Sequence, residues 1–115
     1  MTTEDVLDHH LDAFVAQDLD GIMEDYADDS FVVTPMGTFR GLDEIEELFA
    51  GLFEEFARPG TDITLDQQTV EGDWAYIVWH AETQENVYEY CTDTFEIRGG
   101  EIRKQTFAGK ITPKE

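Results

Sequence analysis

The sequence predicts an α+β fold, with helices in its first half and an antiparallel sheet in its second. Three observations carry that expectation. Apolar residues recur at helical spacing as far as Phe56. Arg58-Pro59-Gly60 then stops the pattern. From Asp62 onward, runs rich in β-branched and aromatic residues are punctuated by Gly72-Asp73, Thr83 to Asn86, and Gly99-Gly100.

Taken in order, Thr2 or Thr3 caps a first helix, and Glu4 and Asp5 complement its positive end. Val6, Leu7, His10, Leu11, Phe14 and Val15 form its apolar stripe. Asp18 caps a short second helix carrying Leu19, Ile22, Met23 and Tyr26. Phe31 to Thr34 and Thr38 to Arg40 flank the Pro35-Met36-Gly37 turn as a small hairpin. Gly41 precedes a third helix whose stripe is Leu42, Ile45, Leu48, Phe49, Leu52, Phe53 and Phe56. Four strands follow, over 62–71, 74–82, 87–98 and 101–111, and Pro113-Lys114-Glu115 forms a frayed tail. A length of 115 residues, with no repeat or linker, predicts one domain over 1–115.

The charge is extreme. Asp and Glu number 27 against 7 Lys and Arg, for a formal net charge of −20. Such a surface repels phosphate backbones and anionic lipid, so neither nucleic acid nor a membrane is an expected partner. The acids are interleaved with apolar positions and therefore coat helix faces. With lysine only at 104, 110 and 114, this pattern points to adaptation to a salt-rich cytoplasm, where screening removes self-repulsion; the alternative is an acidic protein of an ordinary mesophile. Cys91 is the only cysteine, so no internal disulfide forms. No leader-like or membrane-length apolar run is present, and a cytoplasmic location is expected.

Two segments point to a family. Tyr-Ala-Asp-Asp at 26–29 and Thr-Pro-Met-Gly at 34–37, in this order of elements, resemble the SnoaL-like and ketosteroid isomerase-like proteins of the nuclear transport factor 2-like superfamily. The resemblance covers nearly the whole chain. It implies a cone: a bent antiparallel sheet wrapped by three N-terminal helices around one pocket. It also implies a small apolar carbonyl or polyketide-like ligand, handled by an isomerase, cyclase or lyase. In the isomerases an aspartate base stands immediately before the hairpin proline; here that position is Thr34. The substitution argues against ketosteroid isomerisation and leaves a non-catalytic ligand-binding or scaffold domain as the alternative.

Strand alternation sorts the candidate side chains. Cys91, Asp93, Phe95 and Ile97 share one face. The expected companions are Trp74, Tyr76, Val78 and His80 on the preceding strand, and Arg103, Gln105, Phe107 and Gly109 on the last. With Thr34, Phe49 and Phe53 they would line an aromatic pocket. Asp93 is the leading catalytic candidate, because a lone carboxylate in a buried strand must be paired or protonated. The resemblance implies a neutral acid there, donating a hydrogen bond to an oxyanion. The alternative is a structural aspartate tied to Arg103, Lys104 or a helix end. His10 matches the position of the isomerases' oxyanion-hole tyrosine, and a histidine could donate or shuttle a proton there. Its alternative is a packed ring bonded to backbone. His80 depends on register: a hairpin turn at Thr83-Gln84 puts it far from Asp93, and a turn at Glu85-Asn86 makes it the diagonal neighbour.

No metal is expected, because His9, His10 and His80 lack a ligand spacing. No cofactor is expected either; Gly99-Gly100 is a turn and no phosphate loop is present. Cys91 has no evident base and reads as a small buried apolar group. The opposite strand face, with Ala75, Ile77, Trp79, Tyr88, Tyr90 and Thr92, is too apolar for solvent. The resemblance implies a homodimer interface through Ile77, Trp79, Tyr88 and Tyr90. The alternative is cover by the C-terminal tail.

Overall fold

Local signals start each helix. Thr2 accepts from the Asp5 amide at 3.1 Å and Asp5 accepts from the Thr2 amide, a reciprocal capping box that opens α1 (Thr3–Val15). The computed structural model describes residues 1–115 throughout. Asp18 caps α2 (Leu19–Met23) through the Gly21 amide at 3.0 Å. The third helix, α3 (Gly41–Phe56), begins without a side-chain cap. Its first residue has φ +80°, and a Cβ there would stand 3.5 Å from the Asp28 carbonyl. That contact is ordinary, so the left-handed φ is what favours glycine at this sharp entry from strand to helix.

Six strands form one sheet: β1 (Tyr26–Thr34), β2 (Gly37–Arg40), β3 (Asp62–Glu71), β4 (Trp74–Glu82), β5 (Asn86–Arg98) and β6 (Glu101–Pro113). Their order is β2-β1-β6-β5-β4-β3. Neighbours are antiparallel except β1 and β6, which run parallel. That pair departs from the expected all-antiparallel sheet, because the last strand inserts between the first and the fifth. The first strand also starts earlier than expected: Tyr26 opens β1 and does not continue α2.

The helices pack into the concave side of this bent sheet. Val6 and Leu7 of α1, Ile22 of α2, Ile45 of α3 and Phe95 and Ile102 of the sheet are fully buried in one core. Glu55 ties the last turn of α3 to the β4–β5 hairpin. Its carboxylate accepts from the hydroxyls of Thr83 at 2.6 Å and Tyr88 at 2.9 Å, and from the Asn86 amide at 3.0 Å. No helix is long and apolar enough to cross a membrane.

Two bulges set which side chains enter the cone. Between Trp79↔Cys91 and Ala81↔Tyr88, β5 advances one residue more than β4, so Glu89-Tyr90 carries an extra residue. A matching extra residue, Asp66, interrupts β3 between Leu65↔Trp79 and Gln67↔Val78.

Candidate active site in the cone

The β5 bulge reverses the expected partnership of β4. A one-residue slip moves a strand's whole set of side chains to the other face. Asp93 therefore pairs with Ile77, and Cys91 with Trp79. The inward set on β4 is Ala75, Ile77, Trp79 and Ala81. Trp74, Tyr76, Val78 and His80, expected in the pocket, lie on the convex side. Trp74 is 52% exposed there. Val78 is buried on that side, flanked in register by Gln67 and Thr92. The correction runs both ways, since Ile77, Trp79 and Tyr88 of the expected dimer face point into the cone. Only Tyr90 of that set is on the outer surface, 60% exposed.

His80 is accordingly absent from the interior. Its Nδ1 lies 2.7 Å from Asp66 on the exposed face. Thr34 closes the β1–β2 turn: its hydroxyl donates to the Gly37 carbonyl at 3.0 Å and accepts from the Met36 amide at 3.1 Å. Arg103 and Lys104 do not reach Asp93. Arg103 pairs with Asp29 and Glu101, and Lys104 lies 3.8 Å from Glu96.

On the last strand Gln105, Phe107 and Gly109 fall as the alternation predicts, but Arg103 does not: it is the extra residue of a bulge between Ile102 and Lys104 and turns out to Asp29 and Glu101. Gln105 pairs with Phe95, Phe107 with Asp93 and Gly109 with Cys91. At Gly109 a Cβ would come within 2.6 Å of the Cys91 sulfur, so the close approach of β6 to β5 requires glycine.

Asp93 is buried in this setting and bonded at both oxygens. Trp79 donates its indole N–H to Oδ1 at 2.8 Å, and Gln105 donates its amide Nε2 to Oδ2 at 2.9 Å. The Tyr26 hydroxyl in turn donates to Gln105 Oε1. Burial pushes the Asp93 carboxyl up to about 6, against the two hydrogen bonds, which pull it down. Burial also raises Tyr26 well above its ordinary range, and the neighbouring Asp93 adds to the shift. The same two causes bring the Cys91 thiol up to about 11, so Cys91 is no nucleophile at neutral pH.

His10 reaches the same interior from α1. Its ring sits edge-on to Phe95 at 5.3 Å, Phe49 at 5.8 Å and Tyr26 at 6.1 Å. Its Nδ1 is buried and has no partner in the protein. Desolvation, helped by adjacent His9, lowers its pKa to about 3, so the ring is neutral. Phe14, Phe49, Phe53 and Phe56 continue the aromatic wall along the helices. Further along the sheet, Trp79 stacks on Tyr88 at 5.6 Å and lies 6.1 Å from Phe107. No group of three or more His, Cys, Asp or Glu side chains is arranged to hold a metal.

Of the predicted site residues, the structure thus gathers Asp93, His10, Phe49, Phe53, Cys91, Phe95, Gln105 and Phe107. Trp79 and Tyr26 are the members that sequence reasoning missed. Their signal was chemical: each is an aromatic with one polar atom that must find a partner when buried.

A bent six-stranded sheet closed by three helices around such an interior defines the nuclear transport factor 2-like class of cone folds. Residues 7–105 match the SnoaL-like domain family, and the chain belongs to that family. No curated protein matches the sequence. Among solved structures, an NTF2-like protein of unknown function from Cytophaga hutchinsonii superimposes with a TM-score of 0.79 at 12% identity, over 96% of this chain and 91% of that one. A protein assigned as a polyketide cyclase from Sinorhizobium meliloti gives 0.76 at 20% identity, over 90% and 94%. One assigned as a ketosteroid isomerase from Kribbella flavida gives 0.77 at 13%, over 94% and 77%. At these identities the likeness is one of fold.

Proposed function

We propose that the cone binds a small, largely apolar carbonyl compound and that Asp93 exchanges a proton with it. One observation carries this reading: the Asp93 carboxyl, buried among aromatic side chains and bonded to Trp79 and Gln105, has a pKa near the pH at which it would work. In the proposed step the Asp93 carboxylate takes the proton from the carbon next to the ligand carbonyl. The electron pair left behind moves onto the carbonyl oxygen; in a ligand with a β,γ double bond it is shared along the dienolate, and return of the proton to the γ carbon would complete an isomerisation. His10 is neutral, so it serves as a hydrogen-bonding group for the ligand oxygen through its free Nδ1. Thr34 takes no part, since its hydroxyl is committed to the turn.

The test is hydrogen–deuterium exchange at the carbon next to the carbonyl in a panel of aryl and cycloalkyl ketones, followed by NMR. The intact protein should accelerate exchange, and Asp93→Asn should lose about 100-fold or more of it. Binding without exchange in either protein would leave the rival reading, a non-catalytic ligand-binding domain. Absence of both binding and exchange would remove the cone as a ligand site for this class.

The convex face supports a homodimer, through residues other than those expected. Trp74 and Tyr90 are exposed there, with Tyr76, Val78, Thr92 and Thr94 between them, and no helix covers them. Residues 1–61 hold 16 of the 27 acids and only two of the seven cations, so the sheet is where two such acidic chains meet with least repulsion. Sedimentation in molar salt should give twice the monomer mass, and Trp74→Glu with Tyr90→Glu should halve it. The acid coat also supports adaptation to high salt. The melting temperature should rise from low to molar KCl as the screening length falls from about 10 Å to about 3 Å; a flat or falling trend would exclude it.

A further inference from the structure

Gln105 and Tyr26 belong to no expected catalytic set, yet together they decide which way hydrogen bonds run at Asp93. We infer that Asp93 meets its ligand as a carboxylate, a proton acceptor, and that Gln105, oriented by Tyr26, is the positioning residue that holds it so. This rests on the proposed function and narrows it, and it reverses the neutral-donor role that the family resemblance implies.

The inference follows from counting donors and acceptors. The indole nitrogen of Trp79 carries a hydrogen and no free lone pair, so Asp93 Oδ1 can only accept from it. At Oδ2 the partner is an amide, which could in principle present either end. Tyr26 settles that choice. Its hydroxyl is buried, and its only hydrogen-bond partner is Gln105 Oε1. If the amide turned over, Nε2 would point at the tyrosine oxygen and the Tyr26 hydrogen would be orphaned in the core. The arrangement with every hydrogen placed is Tyr26 to Gln105, Gln105 to Asp93, and Trp79 to Asp93. Both donated hydrogen bonds are stronger to the carboxylate than to the neutral acid, so they favour the ionised form.

The titratable groups around Asp93 do not alter this. They are Tyr26 from β1, Cys91 on β5 itself and the neutral His10 from α1, while α3 contributes the rings of Phe49 and Phe53. The consequence is a choice of substrate class. Such a site takes ligands that offer a hydrogen, a carbon acid, an enol or a phenol. It disfavours ligands that offer Asp93 only a carbonyl oxygen.

The test is the sign of a shift. Asp93 is titrated by carboxyl-carbon NMR in the full chain and in Gln105→Leu and Tyr26→Phe. Loss of the amide donor should raise the Asp93 pKa by about one unit, a tenfold gain in proton affinity, and Tyr26→Phe should raise it by less. If Gln105→Leu lowers the pKa or leaves it in place, Gln105 Oε1 was accepting from a protonated Asp93 and the inference falls. Should Gln105→Leu not fold, the wild-type Gln105 amide protons give the answer. They should move downfield as Asp93 ionises, and amide protons indifferent to that titration would overturn the proposal. Loss of ketone exchange with these shifts intact would remove the proposed reaction and leave the ionisation state standing.

Discussion

Asp93 and Asp66 sit on opposite faces of one curved sheet, each beside an aromatic nitrogen heterocycle, and their environments differ completely. Asp93 is 8% exposed and receives hydrogen bonds from Trp79 and Gln105. Asp66 occupies a bulge with its side chain 40% exposed, paired at 2.7 Å with a half-exposed His80. The histidines divide in the same way: His10 is sealed among aromatic rings and His80 stands in water. A carboxyl and an imidazole thus occur on each face. Only the concave face removes them from solvent.

The largest effect that could break this contrast is acid unfolding. His10 has a pKa of about 3 in the folded protein, below the value of about 6.5 for an exposed histidine. A depressed folded pKa means that its stability is fully present above pH 6.5 and is lost as the pH falls towards 3. The loss is about 5 kcal/mol, at roughly 1.4 kcal/mol per unit. Asp93, with its raised value of about 6, acts in the opposite direction: its contribution is full below about 4 and is lost as the pH rises through 6. Denaturant melts at pH 7 and pH 4, comparing wild type with His10→Phe, should show the variant losing less stability on acidification. Parallel losses in both proteins would mean that His10 is charged or solvated in the fold.

Next in size is packing, tested on the two tryptophans of one strand. Trp79 stacks on Tyr88, packs at a tilt near Phe107 and bonds Asp93, so Trp79→Ala should cost about 3 kcal/mol or more. Trp74 stands on the convex surface, and Trp74→Ala should change monomer stability by less than about 0.5 kcal/mol. Urea melts at low protein concentration make the comparison. Equal costs would show that the two faces are buried alike.

This division of β4 is the part of the molecule that sequence reasoning could not reach. Helix positions were legible, because caps at Thr2 and Asp18 and the stop at Arg58-Pro59-Gly60 are local chemistry. The β5–β6 partnership was legible too, since Gly99-Gly100 marks its turn, and Gln105 and Phe107 fall beside Asp93 as alternation requires. The β4–β5 partnership was not. Its bulge lies at Glu89-Tyr90, where no glycine marks the extra residue, and a single added residue exchanges the two faces of β4. Trp79 and His80 traded places as a result. Tyr26 was missed for a related reason: it follows a helical run, and its role depends on β6, which is 79 residues away at Gln105.

The smallest predicted effect concerns His80, which alternation alone would place in the cone, and its partner Asp66 on the convex face. His80 and Asp66 are both substantially exposed, so their attraction is set in water and opposed by the entropy of holding two side chains together. A double-mutant cycle with His80→Ala and Asp66→Ala should give a coupling of about 1 kcal/mol or less, and molar salt should shrink it further. Neither variant should alter ketone exchange, because neither side chain lines the concave face. Asp93→Asn is the reference for a change that should. A loss of exchange in His80→Ala comparable to that in Asp93→Asn would place chemistry on the convex side, and the proposed division of labour between the two faces would have to be abandoned.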